Sequence, residues 1–262
     1  MSEASEDLVL HRDDAGVATL TLNRPAARNA LSVAMMSALQ EAFDGAARDK
    51  SVKVVVLAAA GPGFCAGHDL RELRANPGRQ FYEKVFRQCS RLMLSITKLP
   101  KPVIARVHGI ATAAGCQLVA TCDLAVASDA ARFATSGVNL GLFCSTPMVA
   151  LTRGVGRKPA MEMLLTGDFI SAEEAHRIGL VNRVVPAAGL DEAIAALAQR
   201  IAAQSPLTLA IGKEAFYRQA ELGLEEAYAY TSEVMTTNML ARDAEEGIDA
   251  FLAKRPPAWQ GR

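Results

Sequence analysis

Three apolar runs constrain this chain more than anything else in it: VKVVVLAA (residues 52–59), VIARVHG (103–109) and DLAVAS (123–128). A strand wetted on one side alternates apolar and polar residues. These runs do not alternate, so each reads as a strand buried on both faces, as in a parallel sheet covered by helices. The segments around them fit that picture. Residues 32–49 carry apolar side chains at helical spacing with Ser32 as N-cap, residues 79–98 form a long helix stopped by LPKP, and a further helix opens near Ala113. LVLHR and VATLTL flank DDAG as a hairpin over residues 8–22, and VNRVV (181–185) is one more short strand. Strands that alternate with helices imply βαβ units around a largely parallel core, so the fold class is α/β. Helices then dominate, over 157–166, 171–178, 189–204, 206–219, 223–240 and 242–254. The chain therefore divides into a core of residues 1–190 and a helical region of residues 191–262 that needs a surface to pack on, a neighbouring subunit being one option.

The composition narrows the function classes. At 262 residues the chain suits one large domain, or a domain with an appended helical part. Lys plus Arg equals Asp plus Glu at 28 each, so no basic field favours nucleic acid. Aromatics at 5% give few platforms for stacking bases. The start MSEASEDLVLHRDD is acidic and polar, unlike a signal or transit peptide. No run of about 18 uncharged apolar residues provides a membrane span. These readings give a cytoplasmic expectation with no membrane partner. The five cysteines, Cys65, Cys89, Cys116, Cys122 and Cys144, are odd in number and form no CxxC pair, which argues against a disulfide framework or a metal site. They read as small core residues.

Two segments look chemical. GPGFCAGHDLREL (61–73) follows a buried strand and has glycines for tight turns. Its third glycine falls a place late for a dinucleotide fingerprint. Asp69 with Glu72 matches a D-x-x-E helix cap. VHGIATAAGCQLVATCDLAVA (107–127) ends a strand at His108-Gly109 and opens a helix whose first N–H groups point outward with the positive end of the dipole. Ala113, Ala114 and Gly115 leave that end open to a carbonyl oxygen gaining charge, or else allow tight helix-to-sheet packing. The pair favours the first reading, because each bend can offer one backbone N–H to the same oxygen.

With these segments in order, the chain resembles the crotonase, or enoyl-CoA hydratase/isomerase, superfamily. The likeness runs from TLNRPAARNALS through FCAGHDL, KPVIARVHGIATAAGCQLVATCDLAVASDAARFA and MLLTGDFISAEEAHRIGLVNRVV to EEGIDAFLAKRPPAW. The resemblance implies a ββα spiral core followed by helices that build homotrimers or dimers of trimers. It implies an acyl-CoA substrate, coenzyme A being part of the substrate with no tightly bound cofactor, and lyase or isomerase chemistry of the kind found in fatty acid metabolism. It also implies an oxyanion hole made by the backbone N–H groups of His68 and Ala114, with the His68 imidazole facing the acyl group. Arg24 and Arg28 would meet a CoA phosphate, or else be solvated loop charges. The backbone of Cys65, Ala66 and Gly67 would border the adenine, and Phe251 and Lys254 would reach a neighbour's CoA.

The resemblance also marks a departure. Hydratases of this family carry glutamates at the positions that match Gln117 and Gly137 here. An amide has no acid–base chemistry near neutral pH and glycine has no side chain. Each positioned acid–base group is worth about 10² to 10⁴ in rate, so ordinary hydration is not expected. Asn139, Cys144, Ser145 and Thr146 would stand near the acyl end, with Cys144 as a nucleophile or an apolar wall. AGHD with VNLG is similar to the methylmalonyl-CoA decarboxylase branch, although that branch has a tyrosine where Cys144 stands. His108 would fix its bend, and His11 and His176 are surface or strand residues. Three readings remain: an enoyl-CoA hydratase or isomerase with an unidentified proton carrier, a decarboxylase of malonyl-type CoA esters, and a non-catalytic acyl-CoA-binding protein.

Overall fold

The computed structural model describes residues 7–262; most of the acidic start read above, residues 1–6, lies outside the described residues, and with it the reading on targeting peptides. The chain opens with the hairpin β1 (Val9–Asp14) and β2 (Val17–Leu22). Helix α1 (Val33–Arg48) follows, its Ser32 hydroxyl accepting from the Met35 N–H at 3.1 Å as an N-cap should. Next come β3 (Val54–Ala59), β4 (Gly63–Cys65), α2 (Leu70–Ala75) and α3 (Arg79–Lys98). The pattern repeats with β5 (Val103–Val107), β6 (Ile110–Thr112) and α4 (Ala114–Thr121), then with β7 (Leu124–Ser128), β8 (Arg132–Ala134), α5 (Pro147–Gly154) and α6 (Arg157–Thr166). A last turn comprises β9 (Ile170–Ser171), α7 (Ala172–Arg177) and β10 (Arg183–Val185). Helices α8 (Leu190–Ala202), α9 (Pro206–Gln219), α10 (Leu224–Met239) and α11 (Arg242–Leu252) end the chain.

Each turn lays one strand in each of two sheets. The larger has the order β1-β2-β3-β5-β7-β10 and is parallel from β2 onward; the smaller has the order β4-β6-β8-β9. This is the ββα spiral that the resemblance implies. The long apolar runs have a simple cause. Val55 and Leu57 of β3 face the main core, while Val54 and Val56, with Ile104 and Val126, face Leu190, Ile194 and Leu197 of α8. Successive residues point to opposite faces of a strand, so a sheet covered on both sides needs an unbroken apolar run. Helix α8, assigned by sequence to the helical region from residue 191, is thus the cover of the core sheet. The second sheet was not read from the sequence, because its strands are two or three residues long and carry no period.

Helix α9 is tied to the spiral by a buried charge cluster. The Lys213 ammonium, with 7% of its side chain exposed, donates to Asp123 Oδ2 at 2.6 Å and to the carbonyls of Ile96 and Lys101. The Tyr217 hydroxyl donates to Asp123 Oδ1 at 2.8 Å, and the Val103 N–H to Asp123 Oδ2. Burial lowers the Lys213 pKa even with the carboxylate beside it. Removing one partner of such a pair strands the other charge. Asp123→Ala is expected to lower stability by about 3–5 kcal/mol, read from the urea unfolding midpoint, with Lys213→Met costing less.

Candidate active site

Two loops are zipped together before any catalytic group is placed. The loop after β2, residues 23–32, runs alongside residues 60–69. Asn29, fully buried with φ 54°, joins them: its Oδ1 accepts from the Arg24 N–H at 2.8 Å, and its Nδ2 donates to the carbonyls of Ala60 (2.9 Å) and Gly63 (3.0 Å). The Cys65 thiol donates to the Asn29 carbonyl, the Ala66 N–H to Arg28, the Leu31 N–H to Gly67 and the Asp69 N–H to Leu31. Sequence reasoning missed Asn29. Its one cue is that asparagine tolerates the left-handed region better than most residues. Asp69 caps α2 as expected, accepting from the N–H groups of Arg71 and Glu72. Glu72 does not complete a reciprocal box; its Oε2 accepts from the Val33 N–H at the start of α1.

This zip presses the first loop onto the second bend. A side chain at Gly67 (φ 90°) would meet the Ala113 Cβ at 3.0 Å, the Thr112 carbonyl at 3.1 Å and the Ala114 nitrogen at 3.2 Å. One at Gly115 would run into the Cys65 carbonyl oxygen. Only glycine at both positions lets the backbones approach this closely. Ala113 is held at φ 51°, ψ −118°, a region that costs an L-residue about 1–3 kcal/mol. Among the described residues neither the His68 N–H nor the Ala114 N–H donates to a protein acceptor, Ala114 being the first residue of α4. The geometry therefore brings two free N–H groups from the two bends to one place, beside the positive end of α4.

The two positions that the resemblance matches to glutamates carry no acid here. Gln117 is 4% exposed, and its Oε1 accepts from the Cys89 thiol at 3.9 Å. At Gly137 an added side chain would meet the Leu142 carbonyl at 2.5 Å and the Cys144 Sγ at 2.8 Å, so the thiol stands where a side chain at 137 would begin. Burial pushes the Cys144 thiol above its ordinary pKa, against a hydrogen bond from Gly137. Burial also takes Cys65, Cys89 and Cys116 up to about 12. A thiol held protonated is a poor nucleophile, so the geometry favours Cys144 as wall. Asn139 donates to the Gly167 carbonyl at 3.4 Å, the Ser145 hydroxyl to Phe143, and Thr146 precedes α5.

The His68 imidazole is the exception. Both ring nitrogens are buried without a hydrogen-bond partner, and the ring meets Phe86 of α3 edge-on at 5.5 Å. Each such polar atom costs about 1–3 kcal/mol if nothing pairs it. Burial lowers the His68 pKa below 6.5, outweighing the Leu31 carbonyl, which favours the charged form.

The residues expected at the CoA separate. The Arg24 guanidinium donates to Asp69 Oδ2 at 2.7 Å, tying the first loop to the cap of α2. Arg28 is exposed beside Ala66 and free of side-chain partners among the described residues. Cys65 and Gly67 are buried, leaving Ala66 as the accessible part of that backbone. Phe251, 82% exposed, and Lys254 stand at the end of α11 and share no hydrogen bond with these loops. His108 Nε2 pairs with the Gly61 carbonyl at 2.8 Å, bracing its bend.

A family profile described as Enoyl-CoA hydratase/isomerase matches residues 12–262. The crystal structure of an enoyl-CoA hydratase from Mycobacterium smegmatis is 60% identical, covers 97% of this chain and 99% of its own, and superposes with a TM-score of 0.95. Enoyl-CoA hydratase domain-containing protein 3, mitochondrial, is 48% identical in Rattus norvegicus over 98% of this chain and 86% of that protein. The Homo sapiens protein of that name is 50% identical over 93% of this chain and 80% of its own. These names correct the cytoplasmic expectation, since both relatives are named mitochondrial. The sequence argument failed there because it took the absence of a recognisable leader as a location.

Asn29→Ala removes three hydrogen bonds from the zip and is expected to cost about 2–4 kcal/mol in urea unfolding. The second expectation concerns pH. The folded state binds a proton on His68 less readily than the unfolded chain, so this histidine lowers stability as pH falls below about 6.5. His68→Phe should flatten the fall in unfolding free energy between about pH 7 and pH 5. An unchanged slope would mean the ring is solvated.

Proposed function

The chain belongs to the enoyl-CoA hydratase/isomerase family, and from that premise we propose that it binds acyl-CoA thioesters and stabilises a thioester enolate with the backbone N–H groups of His68 and Ala114. The observation that supports the reading is the closeness of Gly67 to Ala113 and Ala114, with neither the His68 nor the Ala114 N–H donating to a protein acceptor. Donors fixed in advance at the site of developing charge need no reorganisation during reaction, and each is worth about 10²–10³ in turnover. Arg28, exposed next to Ala66, is the cation placed to meet a CoA phosphate. Exposed Leu224, Tyr228, Leu240, Phe251 and Leu252 on the last helices support a homotrimer or dimer of trimers, in which α11 of one subunit reaches the CoA of another.

Standard hydration is a poor fit to the side chains. Gln117 offers an amide, and the Cys144 thiol fills the start of the space at Gly137. That packing favours a second reading, release of carbon dioxide from a malonyl-type CoA ester. Breaking the bond to the carboxylate itself delivers the enolate, so the N–H pair is needed and a base for a carbon-bound proton is not.

The test is a turnover panel on the purified protein with crotonyl-CoA, longer 2-enoyl-CoAs, 3-enoyl-CoAs, malonyl-CoA and methylmalonyl-CoA. The expected result is acyl-CoA binding, crotonyl-CoA hydration slower by about 10² or more than in a hydratase with two carboxylates, and carbon dioxide release from a malonyl-type ester. Gly67→Ala, which pushes on Ala114, should lower any turnover by about 10² or more. Fast hydration would overturn the reading of Gln117 and Gly137. Failure to bind any acyl-CoA would overturn the proposal as a whole.

A further inference from the structure

Two polar side chains of the bends, His68 with its ring nitrogens buried and Gln117, lie against the same helix. His68 meets Phe86 of α3, and Gln117 meets Cys89, one turn further along α3. The polar atoms of the two are nevertheless treated differently. The Gln117 amide oxygen has the Cys89 thiol as donor; neither nitrogen of the His68 ring has a partner. The Leu31 carbonyl lies near enough to the ring to favour its protonated form but outside good hydrogen-bond geometry, and it already accepts from the Asp69 N–H. Buried polar groups in native proteins are nearly always paired, so a ring with no partner in the protein is open to one from outside it, a bound water or a ligand.

On the reading that the His68 and Ala114 N–H groups hold a thioester oxygen, we infer that the His68 imidazole recognises an oxygen-bearing substituent, a hydroxyl or a carboxylate, on the first carbons of the acyl chain. Donor and ring belong to the same residue, so a substrate whose carbonyl sits on the N–H brings its nearest acyl carbons to the residue that carries the imidazole. A neutral imidazole carries one N–H donor and one bare acceptor nitrogen. A hydroxyl can pair with either nitrogen; a carboxylate pairs with the donor. An alkyl chain pairs with neither and leaves both nitrogens unsatisfied under Phe86. Recognition by a group that would otherwise stay unpaired discriminates strongly against the analogue lacking the oxygen. His68 is then a specificity residue through its side chain as well as a hole residue through its backbone.

Calorimetric titration of the full chain with butyryl-CoA, 3-hydroxybutyryl-CoA and malonyl-CoA tests this. The readout is the ratio of affinities within each variant, which cancels general losses. In the wild type at least one oxygen-bearing ester is expected to bind about tenfold or more tighter than butyryl-CoA. The ester that gains identifies hydroxyl or carboxylate. The ratio should fall to about one in His68→Phe and survive in part in His68→Gln, which keeps a donor and an acceptor. Should His68→Phe not fold, His68→Leu and the wild-type ratio decide. A wild-type ratio near one, or a ratio that His68→Phe leaves intact, overturns this inference alone, since butyryl-CoA still binds. No binding of any of the three esters overturns both it and the acyl-CoA reading.

Discussion

The close approach of two backbones carries this site. Cys65 to Gly67 and Ala113 to Gly115 meet with no side chain between them, and a single methylene on either glycine would collide with the other loop. This approach brings Gly67, next to His68, against Ala113 and the Ala114 nitrogen, and on the proposed reading those two N–H groups share one oxygen. The spiral supplies the approach, because successive turns stack β4 beside β6 and so bring the ends of both strands to the same edge. Asn29 then fixes the first loop from behind and a strained Ala113 fixes the second. Strain of that kind persists only where the surroundings over-determine it.

What could be read from the sequence follows from how local each cause is. The core strands were legible because burial on both faces writes itself into consecutive residues, as in Val54 to Leu57. The Ser32 and Asp69 caps were legible because a cap is a matter of neighbours. The second sheet was not, since two-residue and three-residue strands have no period to show. The Arg24 ion pair was out of sight for a related reason: its partner, Asp69, is 45 residues away, and an arginine's partner cannot be told from its own segment. Asp123, Lys213 and Tyr217 stayed invisible on the same ground, each unremarkable until the fold puts them together. The positions of the site itself came from a resemblance spanning the chain and not from any one pattern within it.

The chemistry of the pocket is set by packing as much as by residue type. Gly137 and Cys144 share one volume, so the side chain at one position fixes what is possible at the other. The five thiols are all buried, and burial pushes those at 65, 89 and 116 up to about 12, so none of these three supplies a thiolate near neutral pH. In buried surroundings a fixed dipole counts for more than in water, because no solvent competes with it. Backbone N–H groups are therefore strong here while the side chains supply little proton transfer.

That balance explains why His68 matters beyond its backbone. Beside Phe86, and with the Gln117 amide oxygen already engaged by Cys89, the imidazole has both polar atoms unspent. Burial keeps it neutral, so it enters as a hydrogen-bonding group and not as a cation. A neutral group does not compete with the N–H pair for the enolate charge, whereas an imidazolium would place a full positive charge beside it and invite proton transfer. The same burial that disfavours His68 as an acid thus agrees with the role proposed for it in reading the acyl chain.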